Sequence, residues 1–218
     1  MFKSFQIALI GLFMFMQSVL ADTVAVNSTD ARMWANSKGQ ELLQVLSEAD
    51  PIIKYSKLDK MMTEYVNLDY VSKFVIGKYA RIMTNEQKER YQHLFQRYIL
   101  SVYKQFNLNI NASDIKFSID TVTEHPRFTT VQCTIDASNI LKNIQIEKIP
   151  VKFKLIRGTG NAIQAVDVEI SEVSMVIEYR KRFYQMIKEE EEDINWFLDR
   201  FDDKVRANEK AFQQRAEI

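Results

Sequence analysis

The hydrophobic period of this chain changes twice, and that change constrains its fold more than any other feature. Between residues 28 and 106 apolar side chains recur at helical spacing. Between 115 and 170 they alternate, and after Ser171 helical spacing returns. A period of 3.6 lines one stripe of a helix and a period of 2 lines one face of a strand. Helices first, then a meander, then a closing helix describe an α+β domain, since strands and helices are segregated along the chain.

The helical half divides at its own punctuation. Ser28, Thr29 and Ser37 are candidate caps for a helix running to about Ala49, which Asp50-Pro51 ends. Leu58, Met61, Met62 and Tyr65 place a second, short helix at about Tyr55–Tyr65. Asn67 caps a segment in which Leu68, Val71, Phe74, Val75, Tyr79 and Ile82 share a broad face. Thr84-Asn85-Glu86-Gln87 reads as a capping box, with the Thr84 hydroxyl accepting from the Gln87 amide and Gln87 reaching back. The helix it opens carries Tyr91, Leu94, Phe95, Tyr98, Ile99, Val102, Tyr103 and Phe106 on one stripe.

Four alternating runs follow: Ile115-Phe117-Ile119, Val131-Cys133-Ile135, Ile149-Val151-Phe153-Leu155 and Val166-Val168-Ile170. Turn signals at His125-Pro126 and at Arg157-Gly158-Thr159-Gly160-Asn161 separate strands short enough to pair as antiparallel neighbours. Pro150 demands a strand start, a bulge or an edge. Ile163 and Ala165 are out of phase with Val166, which predicts a bulge near Ala165. Beyond Ser171, Val173, Val176, Ile177, Tyr179, Phe183, Tyr184 and Ile187 form a wide stripe. An acidic run, Glu189 to Asp193, leads into a helical tail with Trp196, Phe197 and Phe201.

The N-terminus reads as an export signal. Lys3 supplies the positive start, Ile7 to Met16 an apolar run too short to span a bilayer, and Val19-Leu20-Ala21 a small-residue cleavage site before Asp22. A cut after Ala21 leaves 197 of the 218 residues, with 28 basic against 29 acidic groups. The organisation expected is therefore a signal peptide over 1–21, an α+β domain over 22–188 and a charged helical tail over 189–218. The balance of charge gives no basic excess with which to bind nucleic acid. With 46% hydrophobic residues and only five Gly and three Pro, the chain is too apolar to be disordered. The single Cys133 falls in the apolar phase of a strand and reads as a small buried hydrophobe.

No catalytic pattern emerges. His93 and His125, the only histidines, lie on different elements, and no metal-ligand spacing or Gly-x-Ser-x-Gly elbow occurs. Gly158-Thr159-Gly160 lacks the strand–loop–helix context of a phosphate cradle. The chain is expected not to be an enzyme and to hold no metal or cofactor. Its apolar excess belongs to a core, and where several bulky faces meet a curved sheet it could also enclose an apolar ligand.

Two blocks of residues stand apart from generic amphipathic patterning. The first is Asn67-Leu68-Asp69-Tyr70-Val71-Ser72-Lys73-Phe74-Val75-Ile76-Gly77-Lys78-Tyr79, followed by Thr84 to Tyr91 and Phe95. The second is Val166-Asp167-Val168-Glu169-Ile170, then Val173-Ser174-Met175-Val176 and Tyr179-Arg180-Lys181-Arg182-Phe183. In this order they resemble the MlaC family of periplasmic phospholipid-binding proteins. The departures are Tyr91, where the family often has Phe, and the long charged segment after Lys188.

The resemblance implies a soluble, monomeric periplasmic shuttle. It would carry phospholipid between an outer-membrane lipoprotein–porin complex and an inner-membrane ABC transporter of the mammalian-cell-entry type. The implied fold packs N-terminal helices and a C-terminal helix on a curved four-stranded antiparallel sheet, with an apolar cleft between.

The lining expected on that basis is Val71, Phe74, Val75 and Tyr79 from the first wall, with Phe95, Tyr98, Ile99 and Val102 from the long helix. The sheet would add Phe117, Ile119, Val131, Ile135, Val151, Phe153, Val166 and Val168, and the last helix Val173, Val176 and Tyr179. Any of these is equally at home in a plain core. Arg180 would sit at the cleft mouth or pair with a carboxylate. The charge reversal from Arg180–Lys188 to Glu189–Asp203 could steer docking or simply be solvated helix. The competing function is a periplasmic protein-interaction module whose surface includes Trp196 and Phe201. A hydrolase of the same shape lacks an acid–base set.

Overall fold

The computed structural model describes residues 24–105, 108, 112–137 and 148–216. The export signal and its cleavage site lie outside the described residues. The architecture is mixed helix and sheet, with six α-helices and a five-stranded antiparallel sheet in the order β1-β2-β3-β4-β5.

Local chemistry sets the helix boundaries. α1 (Ser28–Leu46) is capped by Asn27, whose side chain accepts from the Asp30 amide at 2.8 Å. Ser28, expected as a cap, instead donates through its amide and hydroxyl to Glu124, both at 2.6 Å, tying α1 to the sheet. Asp50 opens the next helix rather than merely closing the first. Its carboxylate accepts from the Ile52 and Ile53 amides, and Pro51 occupies the first turn, where no amide is needed. α2 (Pro51–Tyr65) therefore starts four residues before the expected start at Tyr55. α3 (Leu68–Ile76) is capped by Asn67 and continues as a 3₁₀ turn, Gly77–Arg81. α4 (Asn85–Val102) opens with both halves of the Thr84/Gln87 capping box in place.

The strands are β1 (Lys116–Glu124), β2 (Thr129–Asp136), β3 (Lys148–Arg157), β4 (Ile163–Ile170) and β5 (Val173–Ser174). β5 is the strand that sequence periodicity missed. Val173, expected to begin the last helix, pairs with Ile170 across a two-residue turn. Ser171 and Glu172 in that turn both adopt positive φ, which tight antiparallel hairpins require. α5 (Met175–Glu189) then starts behind the Ser174 cap, and α6 (Ile194–Ala216) completes the chain. Pro150 lies near the start of β3, just before the β4 ladder begins at Val151, so its missing N–H costs no bond there.

A bulge at Val166 decides which side chains face which layer. Leu155 pairs with Ala165 while Lys154 pairs with Asp167, so Val166 is the extra residue. Ala165 and Asp167 share parity, yet the inserted residue sends them to opposite faces. A second irregularity at Asp120 does the same in β1, keeping both Ile119 and Val122 on the apolar face.

Two principal cores result. One lies between α1 and the sheet, where Val26, Ala31, Ala35, Val131, Cys133, Leu155 and Ala165 are buried. Cys133 is fully enclosed as a small hydrophobe, and burial pushes its thiol up to about 12. The other is built by α3, α4, α5 and α6 around Phe183, which has five aromatic rings centred within 6.0 Å: Tyr91, Phe95, Tyr98, Phe197 and Phe201. This core crosses residue 188 without interruption, because Phe197, Leu198, Phe201 and Val205 of α6 are fully buried in it.

Candidate functional site

The structure distributes the expected lining residues over both cores. Val71, Val75, Tyr79, Phe95, Tyr98, Ile99 and Val176 are buried in the helical core, with Phe74, Val102 and Tyr179 packed against it. Val131 is buried in the α1–sheet core, with Phe117, Ile119 and Phe153 against it. Ile135, Val151 and Val168 share that apolar sheet face by register, opposite Phe117, Cys133 and Phe153 respectively. Val173 is exposed on β5.

Three residues drawn from three expected walls do meet. Phe74 of α3, Val166 of β4 and Val176 of α5 line one cavity of about 200 Å³, together with Tyr70, Lys154, Asp167, Glu169, Ser174 and Ile177. The bulge creates this site. Without Val166 as an extra residue, the register that turns Asp167 toward α5 would be lost. Asp167, only 8% exposed, caps α5 from the sheet: its carboxylate accepts from the Ser174 hydroxyl at 2.7 Å and the Val176 amide at 3.3 Å. Lys154 stands 3.8 Å away as its counter-charge.

The polar members of this lining were not among the expected residues. Lys154, Asp167 and Glu169 occupy the strand phase that alternation assigns to solvent, and only tertiary packing covers it. Tyr70 did carry a signal, since it lies four residues before Phe74 on one helical face. A separate open groove of about 540 Å³ runs beside the edge strand β1, lined by Ser28, Thr29, Arg32, Met33, Asn36 and Ile119.

Behind the cavity, the two sequence blocks that carry the family resemblance meet. Gly77 ends α3 at φ +49°, and the chain turns back against α5 there. The Tyr184 hydroxyl accepts from the Lys78 amide and from the Arg180 guanidinium, each at 3.0 Å. Arg180 lies 5.0 Å from the Phe74 ring centre and 5.2 Å from that of Tyr184. It thus stacks on a cavity-lining ring.

The acidic segment after Lys188 is largely engaged within the molecule. Arg90 pairs with Asp199 at 2.7 Å, Arg97 with Glu209 at 2.7 Å and Asp202 at 3.5 Å, and Arg200 with Glu190 at 2.6 Å. These contacts place the charges between α4 and α6 or across the α5–α6 turn. Phe201 is sealed in the core, whereas Trp196 is 68% exposed, so an aromatic docking face there would rest on Trp196 alone.

Buried phenols give the helical core a pH signature. Burial, reinforced by a 2.9 Å hydrogen bond to Glu192, pushes the Tyr79 hydroxyl up to about 12. Burial also raises Tyr91, Tyr98 and Tyr179. An unfolded tyrosine ionises near 10.0, so between pH 10 and 12 the unfolded chain has lost protons that the fold retains. Stability is fully present below pH 10 and declines as pH rises toward 12, by about 2–3 kcal/mol for Tyr79 alone. Tyrosinate absorbance followed with near-ultraviolet circular dichroism should show these phenols ionising only together with unfolding. Ionisation at pH 10 in an intact fold would contradict their burial.

Helices on both faces of an antiparallel sheet, with a cavity of mixed apolar and charged lining at one helix–sheet junction, define an α+β protein. The chain belongs to the MlaC family: the profile of that family, described as MlaC protein, matches residues 37–202. Among solved structures the chain is similar to a phospholipid-binding protein from Ralstonia solanacearum, determined in complex with a phospholipid. The TM-score is 0.62 at 13% identity, covering 82% of this chain and 98% of that one, so the likeness is one of fold. No curated protein sequence matches the chain significantly.

Proposed function

We infer that this protein is a periplasmic phospholipid-binding shuttle. It moves lipid between an outer-membrane lipoprotein–porin complex and an inner-membrane ABC transporter of the mammalian-cell-entry type, and so maintains outer-membrane lipid asymmetry. Family membership supports the class, and the phospholipid held by the Ralstonia protein on the same fold supports the ligand. The observation that carries the reading is the junction where Phe74, Val166 and Val176, from three separate elements, face a common space.

The energetics need no catalytic group. Each methylene withdrawn from water contributes about 0.8 kcal/mol, so acyl chains alone make binding tight. A drug-sized ligand fills about 300–1,000 Å³, more than the roughly 200 Å³ between α3, α5 and the sheet. A diacyl lipid therefore enters by parting these walls, and release follows when a partner holds them apart. The export signal over 1–21 supplies the route to the periplasm.

The test is native mass spectrometry of the mature protein purified from a membrane-containing host. The expected spectrum shows the polypeptide plus one phospholipid. A bare polypeptide mass, with no lipid phosphorus in the extract, would overturn the reading. Transfer of that lipid between vesicles bearing each membrane complex then tests the shuttle role. Lipid bound but not delivered would leave a binder without transport.

A further inference from the structure

This inference rests on the chain's being a phospholipid binder and concerns the headgroup. The cavity wall contributed by the sheet is charged. Register places Lys154 opposite Asp167 and Lys152 opposite Glu169 on one face, with Nζ–O separations of 3.8 and 2.6 Å. Lys154, Asp167 and Glu169 reach the cavity. The opposing wall is Tyr70 and Phe74, and Val166, Val176 and Ile177 complete the lining with apolar surface.

These groups are not equally available. Asp167 is committed to the start of α5, accepting from Ser174 and Val176. Glu169 meets Lys152 through Oε2, which leaves Oε1 without a partner among the described residues. Phe74 already faces Arg180, whereas the Tyr70 ring has neither ring nor cation against it among the described residues. Lys154 is shared between Asp167 at 3.8 Å and the Phe128 ring, whose centre lies 5.0 Å from Nζ, so the free contacts are one carboxylate oxygen and one tyrosine face.

The wall, with Lys152 included, sums to zero charge but is strongly dipolar. A purely anionic group gains from Lys154 and is repelled by two carboxylates. A group carrying both signs satisfies the wall: its phosphate meets Lys154, and its ammonium sits between Glu169 and the face of Tyr70. The volume of about 200 Å³ lies below the roughly 300–1,000 Å³ of pockets that hold drug-sized ligands, the scale of a headgroup rather than of two acyl chains. We propose that this cavity is a headgroup subsite that selects a phosphate bearing a cationic amine, as in a phosphoethanolamine lipid, over one bearing only hydroxyls, as in a phosphoglycerol lipid.

The test offers the protein mixed vesicles containing the two lipids in equal amounts and quantifies the captured lipids by mass spectrometry. Soluble phosphoethanolamine is titrated in parallel. The wild type should enrich the amine lipid about fivefold, the scale of one half-exposed charge contact. Glu169→Gln, and independently Tyr70→Leu, should return the captured ratio toward that of the vesicles. The readout is a ratio, so a change in total uptake does not obscure it.

A captured ratio equal to the vesicle ratio in the wild type, or enrichment that survives Glu169→Gln, overturns the headgroup proposal while leaving lipid binding intact. Binding of soluble phosphoethanolamine without enrichment from vesicles also overturns it, in favour of a soluble ligand. Capture of neither lipid defeats the underlying reading itself.

Discussion

A chain ended at Lys188 should fail to fold. α6 delivers Phe197, Leu198, Phe201 and Val205, all fully buried, into the core around Phe183. Losing one such side chain costs about 2–5 kcal/mol, and four together, about 8–20 kcal/mol, match the whole 5–15 kcal/mol by which a typical domain is stable. The truncation also strands Arg97, which loses Glu209 and Asp202 at once. Circular dichroism of the truncated chain should show no cooperative thermal transition. A melt matching that of the full chain would mean α6 is an appendage. Phe201→Ala is the milder version, expected to cost about 3–5 kcal/mol. Trp196→Ala, on the same helix but pointing outward, should change stability by less than about 0.5 kcal/mol. A loss of lipid transfer in that variant would then report docking rather than folding.

The second large effect is expected at Gly77. Its φ of +49° and ψ of −119° lie where a Cβ is strained, at about 1–3 kcal/mol. A Cβ built there would fall 2.3 Å from the Tyr184 hydroxyl and 2.7 Å from an Arg180 nitrogen. Gly77→Ala must therefore push both side chains away. It breaks the Tyr184 hydrogen bond to the Lys78 amide and loosens Arg180 from Phe74. A destabilisation of about 2–4 kcal/mol is expected from strain plus the lost Lys78 hydrogen bond, read as a lowered denaturant midpoint with unchanged slope. Tyr184→Phe removes the two hydrogen bonds that this hydroxyl accepts, without the strain, and should cost about 1–2 kcal/mol. If Gly77→Ala costs no more than Tyr184→Phe, the backbone strain is absent.

Legibility in the sequence varied with how local the determining force was. The Thr84/Gln87 box, the strand near Pro150 and the bulge near Ala165 could all be read because each depends on a few adjacent residues. The fifth strand could not be. Two residues, Val173 and Ser174, carry too little alternation to stand apart from the helix that follows them, and only pairing with Ile170 and Glu169 makes them a strand. The Asn27 cap and the early start at Pro51 were missed for a related reason, since apolar spacing marks the buried stretch of a helix and not its exposed first turn.

The candidate site was half legible. Phe74, Val166 and Val176 could be named from their apolar character, but so could many residues that fill the two cores, because pockets and cores share composition. Lys154, Asp167 and Glu169 could not be named, since a charge on an alternating strand reads as solvent-facing until a helix is laid over it.

Legible in the sequence were the segregation of helices and strands, the interior position of Cys133 and the resemblance to the MlaC family. Each follows from periodicity, residue type or short motifs, which act between neighbours in the chain. Tertiary structure alone decided that residues beyond Lys188 belong to the core, and that the apolar stripes divide between two faces of the sheet. It also decided that a charged strand face would close one small cavity against two aromatic rings. Those outcomes depend on bringing together residues tens to more than a hundred positions apart, such as Phe74 and Val166 around one cavity or Arg97 and Glu209 in one ion pair. No local pattern encodes which buried surfaces will find each other.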